Sequence, residues 1–169
     1  MTLDEIPAGL TIFVDATIFV YHFSGSSLAC RRFLERCEGG QLKAVTSAAA
    51  LVEVSHRLMM MEAVSRGLVS SGNVAKKLRK KPGVVKKLRT YDENVQRIPL
   101  MGVQIVPLDL KILWRASELR FEFGLMMNDS LMASTALEAG LEVMATADRD
   151  FQRVRELSVA MPGDLRKRP

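Results

Sequence analysis

The apolar run Leu10-Thr11-Ile12-Phe13-Val14 stops at a carboxylate, Asp15, and the same ending recurs far along the chain. There Leu141-Glu142-Val143-Met144-Ala145-Thr146 leads into Asp148 and Asp150. Short apolar runs of this kind read as buried strands, and the stretches between them carry helical spacing of apolar residues. Strands alternating with helices in this way predict an α/β fold with a parallel sheet. Two further acids stand in apolar surroundings: Glu53 interrupts the helical stretch Ala48 to Met61, and Asp129 opens the stretch Ser130 to Ala139. A carboxylate at the end of a buried strand, or inside an apolar helix, is costly unless a cation or hydrogen bonds compensate. Four such acids spread over the whole sequence point to one shared metal site.

The elements follow from capping and breaking signals. A strand over Leu10 to Val14 is followed by a short helix from Thr17 to Phe23 and a second from Leu28 to Cys37, stopped by Gly39-Gly40. A strand from Leu42 to Val45 runs into a long helix capped by Thr46 or Ser47, which reaches about Ser65 before Gly67. Residues 66–98 differ in character and read as a basic helical insertion of two short amphipathic helices, with Val74, Leu78, Val84, Val85 and Leu88 facing inward. A third strand at Val103 to Val106, a helix from Leu110 to Phe123 and the helix at Asp129 come next. A strand at Val143 to Ala145, a turn around Phe151 and a last strand near Leu157 to Ala160 complete a single domain over 1–162. The tail, 163–169, is polar and basic and is expected to be disordered.

Composition limits the function classes. At 169 residues and 48% hydrophobic, the chain can bury a full core as one domain. No apolar run approaches the roughly 20 residues that cross a bilayer. The acidic start, Met1-Thr2-Leu3-Asp4-Glu5, argues against a secretory leader and for a cytoplasmic protein. Cys30 and Cys37 fall in one helix about 10 Å apart, too far to bridge, and read as reduced core residues. The only histidines are His22 and His56, so zinc-type Cys/His spacing is absent. A phosphate-binding Gly-x-x-x-x-Gly-Lys loop and a Gly-x-Ser-x-Gly nucleophile elbow are absent too. The net charge of +5 suits a protein that attracts phosphates, although it also suits an ordinary basic soluble protein.

Each acid has a structural reading beside the chemical one. Asp15 reads equally as an N-cap, Asp148 as a turn organiser and Asp129 as a partner of its helix dipole. Glu53 reads as part of a polar helix face paired with Arg57 at i+4. Taken together they suit a hard cation such as Mg²⁺ or Mn²⁺, which prefers oxygen ligands. Metal-assisted phosphodiester hydrolysis is the simplest chemistry for such a set.

Four segments resemble the motifs of PIN-domain ribonucleases, in order and over nearly the whole chain. They are Phe13-Val14-Asp15-Ala16-Thr17-Ile18-Phe19, Ser47-Ala48-Ala49-Ala50-Leu51-Val52-Glu53-Val54, Asn128-Asp129-Ser130-Leu131-Met132-Ala133 and Ala145-Thr146-Ala147-Asp148-Arg149-Asp150-Phe151. The short single-domain form is most similar to the VapC toxins of toxin–antitoxin pairs. The resemblance implies a PIN-like three-layer sandwich, with helices flanking a central parallel sheet in the order 3-2-1-4-5. It implies Mg²⁺ or Mn²⁺ held by Asp15, Glu53, Asp129 and Asp148, with Asp150 the second choice for the fourth ligand. Thr17, Asn128 and Thr146 match positions that orient a carboxylate or a water. Thr17 stands where the family often has Asn or Ser, which removes an amide from that position. RNA substrate, an antitoxin partner and a homodimer are further implications. The rival readings are an RNA-maturation nuclease without antitoxin and a non-cleaving PIN-like module that binds RNA or protein.

Three remaining features have open roles. The run that includes Lys76, Lys77, Lys80 and Lys81 reads either as an RNA-backbone contact or as a solvated face. Met59-Met60-Met61 reads as core and dimer packing, or as a groove adapting to a partner helix. Trp114, Phe121 and Phe123 are expected in the core, and Tyr21 and His22, just after the first motif, read as ordinary residues of an amphipathic helix or as groups that approach substrate.

Overall fold

The structure is a computed structural model and describes residues 1–165. Five strands, β1 (Thr11–Val14), β2 (Lys43–Ser47), β3 (Val103–Val106), β4 (Val143–Ala145) and β5 (Ser158–Ala160), form one sheet in the order β3-β2-β1-β4-β5. Every pairing in it is parallel, as the alternating pattern and the resemblance predict. Phe13 of β1 lies opposite both Val45 of β2 and Met144 of β4, so the central strand is covered on both edges. The Asp15 N–H donates to the Ala145 carbonyl at 3.0 Å, extending the ladder one residue past β1. Strand order reverses at β1 and β4, which places a crevice outside their carboxyl ends.

Among the described residues, eight helices connect the strands: α1 (Ala16–Phe23), α2 (Leu28–Glu38), α3 (Ala48–Ser65), α4 (Val74–Arg79), α5 (Pro82–Val85), α6 (Thr90–Arg97), α7 (Leu110–Phe123) and α8 (Met127–Glu138). Caps fix where they begin. Ser27 Oγ accepts from the Cys30 N–H, Ser47 Oγ from the Ala50 N–H, and Asp109 Oδ1 from the Ile112 N–H. Gly124 ends α7 with a φ of 66°, a left-handed conformation that glycine adopts without strain. The main core holds Phe13, Phe19, Phe33 and Phe151, all fully buried. Cys30 and Cys37 are buried free thiols, and burial pushes them up to about 11 and about 12, so they pack and do not react.

Two expectations need correction. Residues 66–98 hold three helices and not two, because Pro82 starts a separate turn and Glu62 organises another start at Thr90. The buried Glu62 carboxylate accepts from the Arg89 and Tyr91 N–H groups at 3.2 and 2.9 Å, and from Arg66 at 2.8 Å. This insertion has its own small core of Ala63, Val69, Leu78 and Leu88, and Tyr91 packs against both it and the main core. The second correction concerns the aromatics of α7: Phe121 is 90% exposed and Trp114 is 63% exposed. Helical spacing alone does not tell which face is covered, and here the buried face of α7 is Ile112, Ala116 and Leu119. At the C-terminal end, the Asp164 carboxylate accepts from Ser27 Oγ and the Ala29 N–H at 2.7 and 3.0 Å. The rest of the expected tail, 166–169, lies outside the described residues.

Candidate metal centre

Asp15 follows β1 directly and begins α1, so its side chain is held at the mouth of the crevice. It is 1% exposed, and its Oδ2 accepts from Thr17 Oγ1, from the Thr17 N–H at 3.3 Å and from Thr146 Oγ1 at 2.7 Å. Thr146, at the end of β4, accepts in turn from the Asp148 N–H at 2.9 Å, and Thr17 Oγ1 accepts from the Ala147 N–H at 3.0 Å. Two threonine hydroxyls therefore tie the ends of the two central strands into one polar lattice around a single carboxylate. Burial raises the proton affinity of Asp15, its hydrogen bonds to Thr17 and Thr146 lower it, and the nearby Glu53 raises it further; the net direction is up.

The other acids come to the same place from separate elements. Asp129, in the first turn of α8, is pushed up to about 6 by burial first, then by Asp148, Asp15, Glu53 and Asp150. The other expected metal-binding carboxylates thus all act on Asp129, and they come from the end of β1, from α3 and from the turn after β4. Ala133 and Ala136 on α8 are fully buried, so this helix face lies close against its neighbours, as their small size predicts. Glu53, in the second turn of α3, is braced twice: Asn128 Nδ2 donates to its Oε2 at 3.2 Å, and Arg57 Nη1 donates to its Oε1 at 3.4 Å.

Asp148 and Asp150 differ in what holds them. The Asp148 Oδ1 accepts from the Asp150 N–H at 2.9 Å and so starts the short 3-10 turn Arg149–Arg153. Asp150 pairs with Arg153 at 2.9 Å, with its side chain 43% exposed. Asp148 is thus tied to the lattice through its own N–H, whereas the Asp150 carboxylate is taken up by Arg153. Of the lysines singled out in the sequence, Lys77 is occupied by the Ser70 carbonyl and hydroxyl and the Ser71 carbonyl, at 2.8–3.0 Å. Arg57 is the residue near the site to which the sequence assigned no chemical role; its i+4 spacing from Glu53 was the available signal.

Among the described residues, no three Asp, Glu, His or Cys side chains are gathered tightly enough to hold an ion outright. The donor set still fits a hard divalent cation, because it is all oxygen. Mg²⁺ in particular is held through one or two carboxylates while keeping several waters. Burial first, and repulsion from Asp148, Asp15, Glu53 and Asp150 after it, raise Asp129 to about 6, and a cation placed among these acids would offset the repulsion.

The family model for the PIN domain matches residues 12–157, a span that takes in all five acids, both threonines and Asn128. The chain belongs to the PIN domain family. Solved structures with this PIN fold include VapBC2 from Rickettsia felis bound to a promoter DNA fragment, at 19% identity, TM-score 0.58, and coverage of 89% of this chain and 98% of that one. A toxin–antitoxin complex from Klebsiella pneumoniae matches at 21% identity and TM-score 0.54, covering 91% and 99% of the two chains. FitAcB from Neisseria gonorrhoeae matches at 18% identity and TM-score 0.57, with 91% and 99% covered. At these identities the likeness is one of fold. No curated protein matches the chain.

Proposed function

We propose that this PIN domain is a Mg²⁺- or Mn²⁺-dependent endoribonuclease, the toxin of a VapBC-type pair. The observation that supports it most is the convergence of carboxylate charge on Asp129 from four other acids at the crevice beside β1 and β4. PIN domains are generally nucleases, and PIN nucleases typically use divalent ions. Asp15, Glu53, Asp129 and Asp148 would hold the ion, which supplies water activation and offsets charge on the phosphoryl group in an in-line displacement.

The chain's own contribution is positional. Thr17 and Thr146 fix the Asp15 carboxylate, so a group that would hold the ion is set in place by the ends of two central strands. Asn128 and Arg57 hold Glu53 from two sides, and the Asn128 bond links α8 to α3. No side-chain nucleophile is needed, since water attacks. The net charge of +5 draws a polyanion towards the acidic recess.

The structural relatives are toxin–antitoxin complexes, which supports an antitoxin partner for this chain. We assign a second copy of the chain to the exposed face of α7, where Leu110, Trp114 and Phe121 are 67%, 63% and 90% exposed. Exposed large apolar groups aligned on one helix mark interaction surfaces. The test of the activity is cleavage of total RNA by purified protein with Mg²⁺ or Mn²⁺, alongside Asp15→Asn and an EDTA control. Cleavage should require the metal and vanish in Asp15→Asn while the variant stays folded. An Asp15→Asn protein that cuts like wild type removes Asp15 from the site.

A further inference from the structure

Helices α2, α3 and α7 each begin at a capping side chain, whereas α8, which carries Asn128 and Asp129, has none at Met126. Its first turn is held from outside instead. Arg120, near the end of α7, donates through Nη1 to Ser130 Oγ at 3.0 Å and to Met127 Sδ at 3.4 Å. Ser130 is fully buried and donates its own hydroxyl to the Met127 carbonyl at 2.8 Å. One guanidinium thus bridges the two residues that flank Asn128 and Asp129, and the hydroxyl it grips closes the turn. From the other side, Arg153 Nη1 donates to the Gly124 carbonyl at 3.3 Å. That side chain is 51% exposed and shared with Asp150, so it restrains the lead-in to α8 less.

For stability alone this is a poor arrangement. Arg36, Arg57 and Arg115 are half-buried too, but they donate to backbone carbonyls, to Glu53 and to Glu118. Among the described residues, Arg120 is the one half-buried arginine that has neither a carboxylate nor a carbonyl acceptor. A hydroxyl and a thioether are a weak return for taking a guanidinium out of water. Its charge also stands at the end of α8 where the helix dipole is positive. An apolar side chain of the same length would pack α7 against α8 without either cost. We propose that Arg120 is a positioning residue for the metal centre: at a cost in stability it fixes the first turn of α8, and so the places of Asn128 and Asp129. The 3.2 Å bond from Asn128 to Glu53 passes that constraint on to α3. The inference rests on the metal-dependent reading for what the turn is held for, and on the hydrogen bonds for what holds it.

The test compares the full-length wild type with Arg120→Met, which keeps the apolar stem, and Arg120→Lys, which keeps a donor for Ser130. Four quantities are read: melting temperature in EDTA, amide exchange of residues 130–133, Mn²⁺ affinity, and kcat and KM for RNA cleavage. Arg120→Met should melt no lower than the wild type, because an apolar side chain replaces a poorly paired buried charge. It should nevertheless exchange the 130–133 amides several-fold faster and bind Mn²⁺ roughly tenfold more weakly, as loss of a partner behind a metal ligand does. Its kcat should fall by a similar factor while KM stays put, and Arg120→Lys should recover most of both losses. Arg115→Met, on the same helix but paired with Glu118, should leave Mn²⁺ affinity and kcat at the wild-type level. A lower melting temperature with Mn²⁺ affinity unchanged would make Arg120 an ordinary packing residue and overturn the proposal. A raised KM with kcat unchanged also overturns it, in favour of a direct RNA contact. A wild type that binds no Mn²⁺ removes the metal reading; faster exchange in Arg120→Met then still upholds the hold on the turn, and unaltered exchange overturns it.

Discussion

Asp129 carries the cost of the site in its own titration. Its carboxyl is raised to about 6 in the folded chain against 3.8 as the ordinary value. The native state therefore holds a proton that the unfolded state has released, and its contribution to stability is full below pH 3.8 and lost as pH rises through about 6. Because Asp129 is only half-buried, solvent screening reduces the neutral-pH penalty to about 1 kcal/mol. Asp129→Asn should then raise the melting temperature by about 2–4 °C at pH 7.5 in EDTA, and by much less at pH 4. Equal gains at both pH values would mean that burial and the neighbouring carboxylates do not hold Asp129 above its ordinary value. A second residue-scale prediction separates Asp148 from Asp150. Asp148→Ala should lose most of the Mn²⁺-dependent rise in melting temperature, since a ligand bound only by the native state stabilises it. Asp150→Ala, at a side chain already paired with Arg153, should keep most of it; the reverse result moves the site by two residues. The acids were legible in the sequence because each broke an apolar pattern. The Glu53–Arg57 pair was legible from its i+4 spacing, but a place for Arg57 beside the acids was not, because such a pair is ordinary on any helix surface.

At the scale of elements, what could be read depended on whether the information was local. Strands and helices bounded by Asp15, Ser47, Gly67 and Asp109 lie within a residue or two of their expected ends, since caps and breakers act on adjacent backbone. Helix α8 starts at Met127, two residues before Asp129, because no side chain caps its start. The division of 66–98 escaped notice for a different reason. Its third helix begins where Glu62, far back on α3, accepts the Arg89 and Tyr91 N–H groups, a long-range bond invisible to local pattern. Glu62→Ala removes the charged acceptor of those part-buried donors and should cost about 1–3 kcal/mol, read by urea denaturation; a cost near zero would mean the insertion is held by its apolar core alone. Nor does periodicity say which face of α7 another body covers. If the exposed stripe of Leu110, Trp114 and Phe121 joins two copies, Trp114→Glu, Phe121→Glu should run as a monomer in sizing with light scattering, with the helical signal unchanged. A wild type that is already monomeric at tens of micromolar removes the dimer.

Across the whole molecule, the sheet order sets the relation between fold and chemistry. Placing β1 between β2 and β4 brings Asp15 and Asp148 together, and only then can α3 and α8 deliver Glu53 and Asp129 to the same crevice. A parallel sheet was legible from the alternation of elements, whereas its order came through the resemblance, because strand neighbours far apart in sequence leave no mark in periodicity. The molecule combines a positive total charge with one acidic recess. If it is the ribonuclease proposed above, it is free to attack cellular RNA unless something covers that crevice. If this chain is a toxin, its expression alone should arrest growth, and co-expression with its antitoxin should restore it. Glu53→Gln keeps the helix and an acceptor for Asn128 but removes the charge that a cation needs, so it should relieve the arrest without lowering protein abundance. Arrest that persists in Glu53→Gln counts against Glu53 in the site. Absence of arrest from a wild type that is folded and cleaves RNA favours a maturation nuclease instead, built on the same four carboxylates.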